Sequence, residues 1–168
     1  RSTGTSVDAI DIAELFINEE ECKLLNAKSF LFPEKMKNKI LEISRNKTAL
    51  DNFQISSFSD ELAYIYAKSI NAFIYESNID KESVNAVGLH GQTISHQPDE
   101  INPNSIQIGN GEIVAQETGL IIVNDFRSAD ILAGGQGAPL APLFHNQFFG
   151  KKDTTRAVIN IGGIANIT

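Results

Sequence analysis

The sequence predicts an α/β protein with a mixed sheet flanked by helices. Apolar runs at strand spacing alternate with stretches of helical periodicity along the chain. Polar residues and glycines gather where the predicted strands end, the place where open α/β sheets bind ligands. Of 168 residues, 42% are hydrophobic and 21% charged, the balance of a folded globular chain rather than a disordered one. That length supports one ordinary domain with its own core, and is too short for two large lobes with a cleft between them.

The elements follow in order. Residues 7–17 form a strand entered from a turn sequence, and residues 28–32 a short strand closed by Pro33. Residues 34–44 are a helix with Pro33 near its first turn. The clearest helix covers residues 60–77, with Leu62, Ile65, Tyr66, Ile70, Phe73 and Ile74 on one face and Ser59 as its N-cap. Residues 84–89 are a strand ending at His90, and residues 105–108 another. A short helix over 111–117 stops before Gly119. Residues 120–124 read as a fully buried strand that delivers Asp125 at its C-terminal end. A helix over 140–149 precedes a final hairpin over 157–168, interrupted by Gly162-Gly163. Both ends of the chain read as cut.

Charge and cysteine usage narrow the function. A formal charge of −7 opposes non-specific binding to nucleic acid or to an anionic membrane surface. Backbone N–H groups and Mg²⁺ still allow phosphate binding. With Cys22 the single cysteine, neither a disulfide within the chain nor a cysteine metal cage can form. No run approaches the ~20 apolar residues of a membrane span, and no apolar signal region opens the chain, so a cytoplasmic location is expected.

Four segments carry chemistry. In Gly4-Thr5-Ser6-Val7-Asp8-Ala9-Ile10-Asp11, small hydroxyl residues on a turn let backbone N–H groups approach a phosphate; the same residues also fit a plain polar turn capped by Asp8. In Gly88-Leu89-His90-Gly91-Gln92-Thr93-Ile94-Ser95-His96, a glycine frees the chain to turn after a strand. There His90, Gln92 and Thr93 offer donors and acceptors suited to sugar hydroxyls, or form an ordinary loop. His90 and His96 have no third partner at zinc-like spacing, and no metal site is expected from the protein alone.

In the third segment, Asp125 has a fixed strand-end position, and partial burial would raise its pKa towards that of a general base. Arg127 suits a two-bond grip on a carboxylate or phosphate. Alternatively, Asp125 and Arg127 pair with each other or cap the following segment. A glycine-rich stretch, Gly134-Gly135-Gln136-Gly137, follows. The fourth segment, Asn160-Ile161-Gly162-Gly163-Ile164-Ala165-Asn166, sets glycines at a hairpin tip, for turn geometry or for a second phosphate. A P-loop, a complete dinucleotide fingerprint and a Gly-x-Ser-x-Gly elbow are all missing.

Taken in order, these segments resemble the anhydro-N-acetylmuramic acid kinases. That family carries Met-Ser-Gly-Thr-Ser-x-Asp-Gly-x-Asp, whose Met is missing here, then His-Gly-Gln-Thr-x-x-His-x-Pro, Leu-Gln-Ile-Gly, a long Asp-Phe-Arg to Gly-Gly-Gln-Gly-Ala-Pro-Leu motif and Asn-Ile-Gly-Gly-Ile-Ala-Asn. The second matches His90 to Pro98, the third Ile106-Gln107-Ile108-Gly109, and the fourth Asp125 to Leu140 with His145 beyond. In the first motif, Thr3 stands where the family has Ser and Ala9 where it has Gly, which removes freedom to adopt positive φ.

The resemblance implies an actin-like (ribonuclease H-like) ATPase fold, with residues 1–168 as the N-terminal lobe and the C-terminal lobe absent. It implies an enzyme of cell-wall recycling that opens anhydro-N-acetylmuramic acid with water and phosphorylates its 6-hydroxyl using ATP and Mg²⁺. Asp125 would take the proton of the attacking water. Gly4, Thr5, Ser6, Val7, Asp8, Ala9, Ile10 and Asp11 would hold the ATP phosphates, with Gly162 and Gly163 closing on them. His90, Gln92, Thr93 and Arg127 would lie around the sugar. Partners are then the sugar and ATP, without nucleic acid or membrane, and unpaired sheet edges invite homo-oligomers. Two competing readings are a non-catalytic remnant or partner-binding module with the same fold, and a sugar hydrolase using Asp125 and Asp130, which leaves the glycine loops unexplained.

Overall fold

The computed structural model describes residues 7, 9–45, 51–98, 100, 104–161 and 165–168. Strands β1 (Ala9–Ile17) and β2 (Cys22–Leu31) form an antiparallel hairpin, with a bulge between Glu14 and Leu15. Its turn is built by Asn18, whose Oδ1 accepts from the N–H groups of Glu20 and Glu21 at 2.9 and 2.8 Å. The second strand is longer than the expected 28–32. Lys23, Asn26 and Lys28 interleave with its apolar residues, and β2 is exposed over most of its length, so little alternation marks it.

Helix α1 (Glu34–Arg45) starts on Pro33, whose carbonyl accepts from Met36 and Lys37 N–H. It buries Met36 and Ile40, one turn apart on a single face. Helix α2 (Asn52–Glu76) is the spine of the core, burying Phe58, Leu62, Ala63, Tyr66, Ala67, Ile70 and Phe73. It starts at Asn52, earlier than expected, because Asp51 and Gln54 form a reciprocal capping box. Ser59, the expected N-cap, lies inside the helix, where its Oγ accepts from Gly109 N–H at 2.9 Å.

Beyond α2, β3 (Val87–Gly88) pairs in parallel with β6 (Ile122–Val123), extended by Val87 N–H to Ile121 O and Leu89 N–H to Val123 O, both 2.8 Å. Between them β4 (Gln92–Gln97) and β5 (Asn104–Ile108) form an antiparallel hairpin. Helix α3 (Gly111–Thr118) follows, closed as expected by Gly119 in the left-handed conformation (φ 65°). Val114 and Ile108 close the core against α2. The chain continues through α4 (Ser128–Leu132), α5 (Ala141–Phe149) and the expected terminal hairpin, β7 (Ile159–Ile161) with β8 (Ala165–Ile167).

Two expectations are corrected. The strands do not join into one mixed sheet; the described residues form four two-stranded ladders, of which only β3–β6 is parallel. The strand over 120–124 is not fully buried. Leu120 is, but Ile121 and Val123 are 68% and 47% exposed, because β6 has a ladder partner on one side only.

Apolar side chains also lie open at both ends of the molecule. Leu15, Phe16, Ile17, Leu24 and Leu25 are exposed on the first hairpin, and Leu143, Ile159, Ile161 and Ile167 on the last elements. Contiguous exposed apolar side chains of this kind mark interaction surfaces or sites of self-association. No helix among the described residues is long and apolar enough to cross a membrane.

Candidate functional site

The parallel pair β3–β6 organises the site, because both strands run the same way and release their polar residues at the same end. His90 leaves β3 there, while Asp125, Phe126 and Arg127 leave β6. Gly88 lies beside the Phe126 ring, where an added Cβ would make an ordinary contact at 3.6 Å, so the position does not itself require a glycine.

Arg127 reaches back across the pair. Its Nε–H donates to His90 Nε2 at 3.2 Å, and its Nη2 lies 2.7 Å from the same nitrogen. The other ring nitrogen, Nδ1, lies 2.9 Å from Gly91 O. Partial burial lowers the pKa of the Arg127 guanidinium by desolvation; at neutral pH it stays a cation.

Asp125 is exposed, which corrects the expected partial burial: the short β6 ladder does not enclose its own end. Its φ of 54° is unusual for a residue with a side chain. The other such residue, Asn78 (φ 52°), follows the C-cap of α2, where left-handed residues are common. Asp125 lies after a strand instead, and a short polar side chain that bonds locally is the kind that visits this region. Oδ1 accepts from Ser128 N–H at 3.2 Å and from Ser128 Oγ–H at 2.6 Å, fixing the carboxylate at the entry to α4. Oδ2 takes part in neither bond. Asp125 and Arg127 therefore hold different partners rather than each other.

The glycine-rich stretch supports this corner. Asp130 Oδ2 accepts from Gly137 N–H at 2.7 Å, and a Cβ on Gly135 would come within 2.3 Å of the Asp130 carboxylate. Asp130 thus organises the loop behind Arg127 instead of pairing with Asp125.

Gln92 and Thr93 lie on β4, a strand where the sequence suggested a loop. Thr93 Oγ1 accepts from Gln107 Nε2 at 3.3 Å, and that amide also donates to Ser105 Oγ at 2.7 Å. Ser105 Oγ in turn meets His96 Nδ1 at 3.0 Å, which makes His96 part of the β4–β5 polar ladder. Gln107 was missed as a site neighbour; its signal was the register of the hairpin, which a sequence does not display.

Gly91 starts this hairpin at φ 72°, and a Cβ there would lie 2.6 Å from the carbonyl oxygen of Ile108. Gly91→Ala should lose about 2 kcal/mol or more of stability, the left-handed cost of ~1–2 kcal/mol plus the clash. Urea unfolding that returned an unchanged midpoint would contradict the geometry.

A cleft of about 790 Å³ opens between β1 and residues 83–92, floored by Tyr66, Ile70, Phe73 and Ile74 of α2. Burial pushes the Tyr66 hydroxyl's pKa well up, so the floor is uncharged. Asp11, His90, Gly91 and Gln92 line the same cleft.

Of the expected phosphate loop, Gly4, Thr5, Ser6 and Asp8 lie outside the described residues, as do Gly162 and Gly163. Val7 is buried, and Ala9, Ile10 and Asp11 begin β1, where Asp11 Oδ1 accepts from Ser29 Oγ–H. Ala9 pairs with Leu31 in extended conformation, so its position does not ask for a glycine. Among the described residues no group of three or more His, Cys, Asp or Glu side chains could hold a metal ion. Mg²⁺ bound with a nucleotide needs no such group, since one or two carboxylates, water and phosphate oxygens complete its shell.

A family model described as anhydro-N-acetylmuramic acid kinase matches residues 2–168. Anhydro-N-acetylmuramic acid kinase of Sulfurimonas denitrificans is 42% identical over 166 residues, covering 99% of this chain and 45% of the relative. The proteins of the same name from Sulfurovum sp. and Photobacterium profundum are 39% and 38% identical, each over 99% of this chain, with 46% and 44% of the relatives covered. The chain thus spans less than half the length of these curated relatives.

Proposed function

Because this chain belongs to the anhydro-N-acetylmuramic acid kinase family, we propose that it is the N-terminal lobe of a two-lobe, actin-like sugar kinase. The enzyme adds water to anhydro-N-acetylmuramic acid and transfers the γ-phosphoryl of ATP to the sugar's 6-oxygen. The observation that supports this best is the convergence of His90, Asp125 and Arg127 at the carboxyl end of one parallel strand pair.

In this reading Asp125 is the general base. Ser128 holds one carboxylate oxygen, and the other takes the proton of the water that attacks the anomeric carbon. As the water oxygen bonds to that carbon, the anhydro C–O bond breaks and its oxygen, now on carbon 6, accepts the phosphoryl group. Gln92, Thr93, His90 and Arg127 lie around the sugar. The loop from Gly4 to Asp11 holds the phosphates through backbone N–H groups, Gly162 and Gly163 close on them, and Mg²⁺ arrives with ATP. Phosphoryl transfer asks chiefly for positioning and charge stabilisation, which such loops supply. The reaction places the enzyme in cell-wall recycling and in the cytoplasm, with the sugar and ATP as its partners.

Nucleotide binding tests the reading. In the intact protein, calorimetric titration of ATP should show tighter binding with Mg²⁺ than without, and weaker binding in Thr5→Val. A protein of net charge −7 must offset phosphate charge locally. Equal affinities in all four titrations would remove the loop from the phosphate site.

A further inference from the structure

The hydrogen bonds of His90 and Arg127 fit one protonation pattern. Arg127 Nε and Nη2 are donors only, and both converge on His90 Nε2, at 3.2 and 2.7 Å. That nitrogen must therefore offer a lone pair. The proton of a neutral ring then sits on Nδ1, which lies 2.9 Å from a carbonyl oxygen, Gly91 O, and donates to it. Both ring nitrogens are thus engaged within the protein, and neither is left to bind a sugar hydroxyl.

The geometry points to His90 as a positioning residue for Arg127 rather than a direct substrate contact. His90 holds the side edge of the guanidinium, formed by Nε and Nη2. The adjacent end-on edge, formed by Nη1 and the second N–H of Nη2, remains to grip a pair of anionic oxygens in the fork geometry that arginine favours. Two flanking contacts reinforce this. Gly91, at φ 72°, directs its carbonyl to the His90 ring. On the other side the loop closed by Asp130 packs behind Arg127, so that a Cβ on Gly137 would sit 3.2 Å from Arg127 Cβ. The base of the arginine side chain is packed against this loop and its guanidinium is bonded to His90 before any ligand arrives, which lowers the ordering cost of binding. The oxygen pair belongs either to the carboxylate of the sugar acid or to a phosphate of the nucleotide.

This inference rests on the kinase reading for its activity assay, though not for its structural test. In the intact protein, His90→Ala, His90→Gln, Arg127→Ala and the His90→Ala/Arg127→Ala double variant are compared by kcat and KM. Calorimetry with the sugar alone and with Mg²⁺–ATP alone accompanies the kinetics. Loss of a hydrogen bond that orients a charged group predicts about a tenfold fall in kcat/KM for His90→Ala. His90→Gln, which keeps an acceptor for Arg127, should recover most of it. On the Arg127→Ala background, His90→Ala should cost less than about twofold more, since its effect passes through the arginine. The titration that weakens in parallel identifies the source of the oxygen pair.

Independently of turnover, ¹⁵N NMR should report His90 in the Nδ1–H tautomer in the wild type, with that preference lost in Arg127→Ala. Additive losses in the cycle, a Gln variant as damaged as Ala, or an Nε2–H tautomer in the wild type would each overturn the inference. A wild type without turnover would instead count against the kinase reading, and the NMR result would still decide the pair.

Discussion

Asp125→Asn in the intact enzyme is expected to reduce kcat by at least a hundredfold, the lower end of what a positioned general base contributes (~10²–10⁴-fold), while leaving ATP affinity within about twofold. Asn keeps the shape and can still accept from Ser128 through its amide oxygen, so the entry to α4 should survive. What it loses is the second carboxylate oxygen as a proton acceptor. The substitution also tolerates the backbone, because Asn, like Asp, visits the left-handed region at φ 54°. Stability should therefore hardly change, and a turnover defect can be read as chemistry. Single-turnover quench with the anhydro sugar, beside calorimetry with ATP, separates the two quantities. An Asn variant that kept more than about a tenth of wild-type kcat would remove Asp125 from the base role.

The second large effect concerns the 168 residues taken alone, which should form no phosphorylated sugar. The chain spans less than half the length of its curated relatives, and a two-lobe kinase depends on closure to align both substrates and exclude stray water. An open half-site gives up that alignment, where even a small misplacement costs about a hundredfold. The exposed apolar side chains of the first hairpin and of β7–β8, with four ladders that each have unpaired edges, should also drive self-association. Sedimentation should show dimers or larger species that grow with concentration. Turnover at rates usual for kinases (~1–100 per second) from these residues alone would contradict the lobe assignment.

Sequence and structure agree most where punctuation is strong. Pro33 fixes the start of α1 and Gly119 the end of α3, because one cannot continue a helix backwards and the other tolerates the left-handed cap. The early start of α2 was also written in the chain, as Asp51 with Gln54 three residues on, but its first turns carry few core residues to betray a period. Strand β4 stayed hidden because Gln92, Thr93, Ser95 and His96 look like a loop. Their stability as a strand comes from hydrogen bonds to Asn104, Ser105 and Gln107, partners that only the hairpin register supplies.

Something similar holds for the site. Strand-end position singled out His90 in one segment and Asp125 and Arg127 in another, and the structure brings these strand ends to the same side of the β3–β6 pair. Their pairing did not follow, since Arg127 could as well have met Asp125 two residues away as His90 thirty-seven residues away. The choice depends on β3 and β6 lying side by side, a tertiary fact. Exposure of Asp125 was missed for the same reason: residues 120–124 read as a buried strand, yet a strand paired on one side leaves its end open.

The most direct measurement is product analysis of the intact protein incubated with anhydro-N-acetylmuramic acid, ATP and Mg²⁺. Mass spectrometry should show the sugar gaining one water and one phosphoryl group, with one ADP formed per product. Unchanged sugar, sugar that gains water without phosphate, or ADP formed without sugar product would each contradict a kinase centred on Asp125.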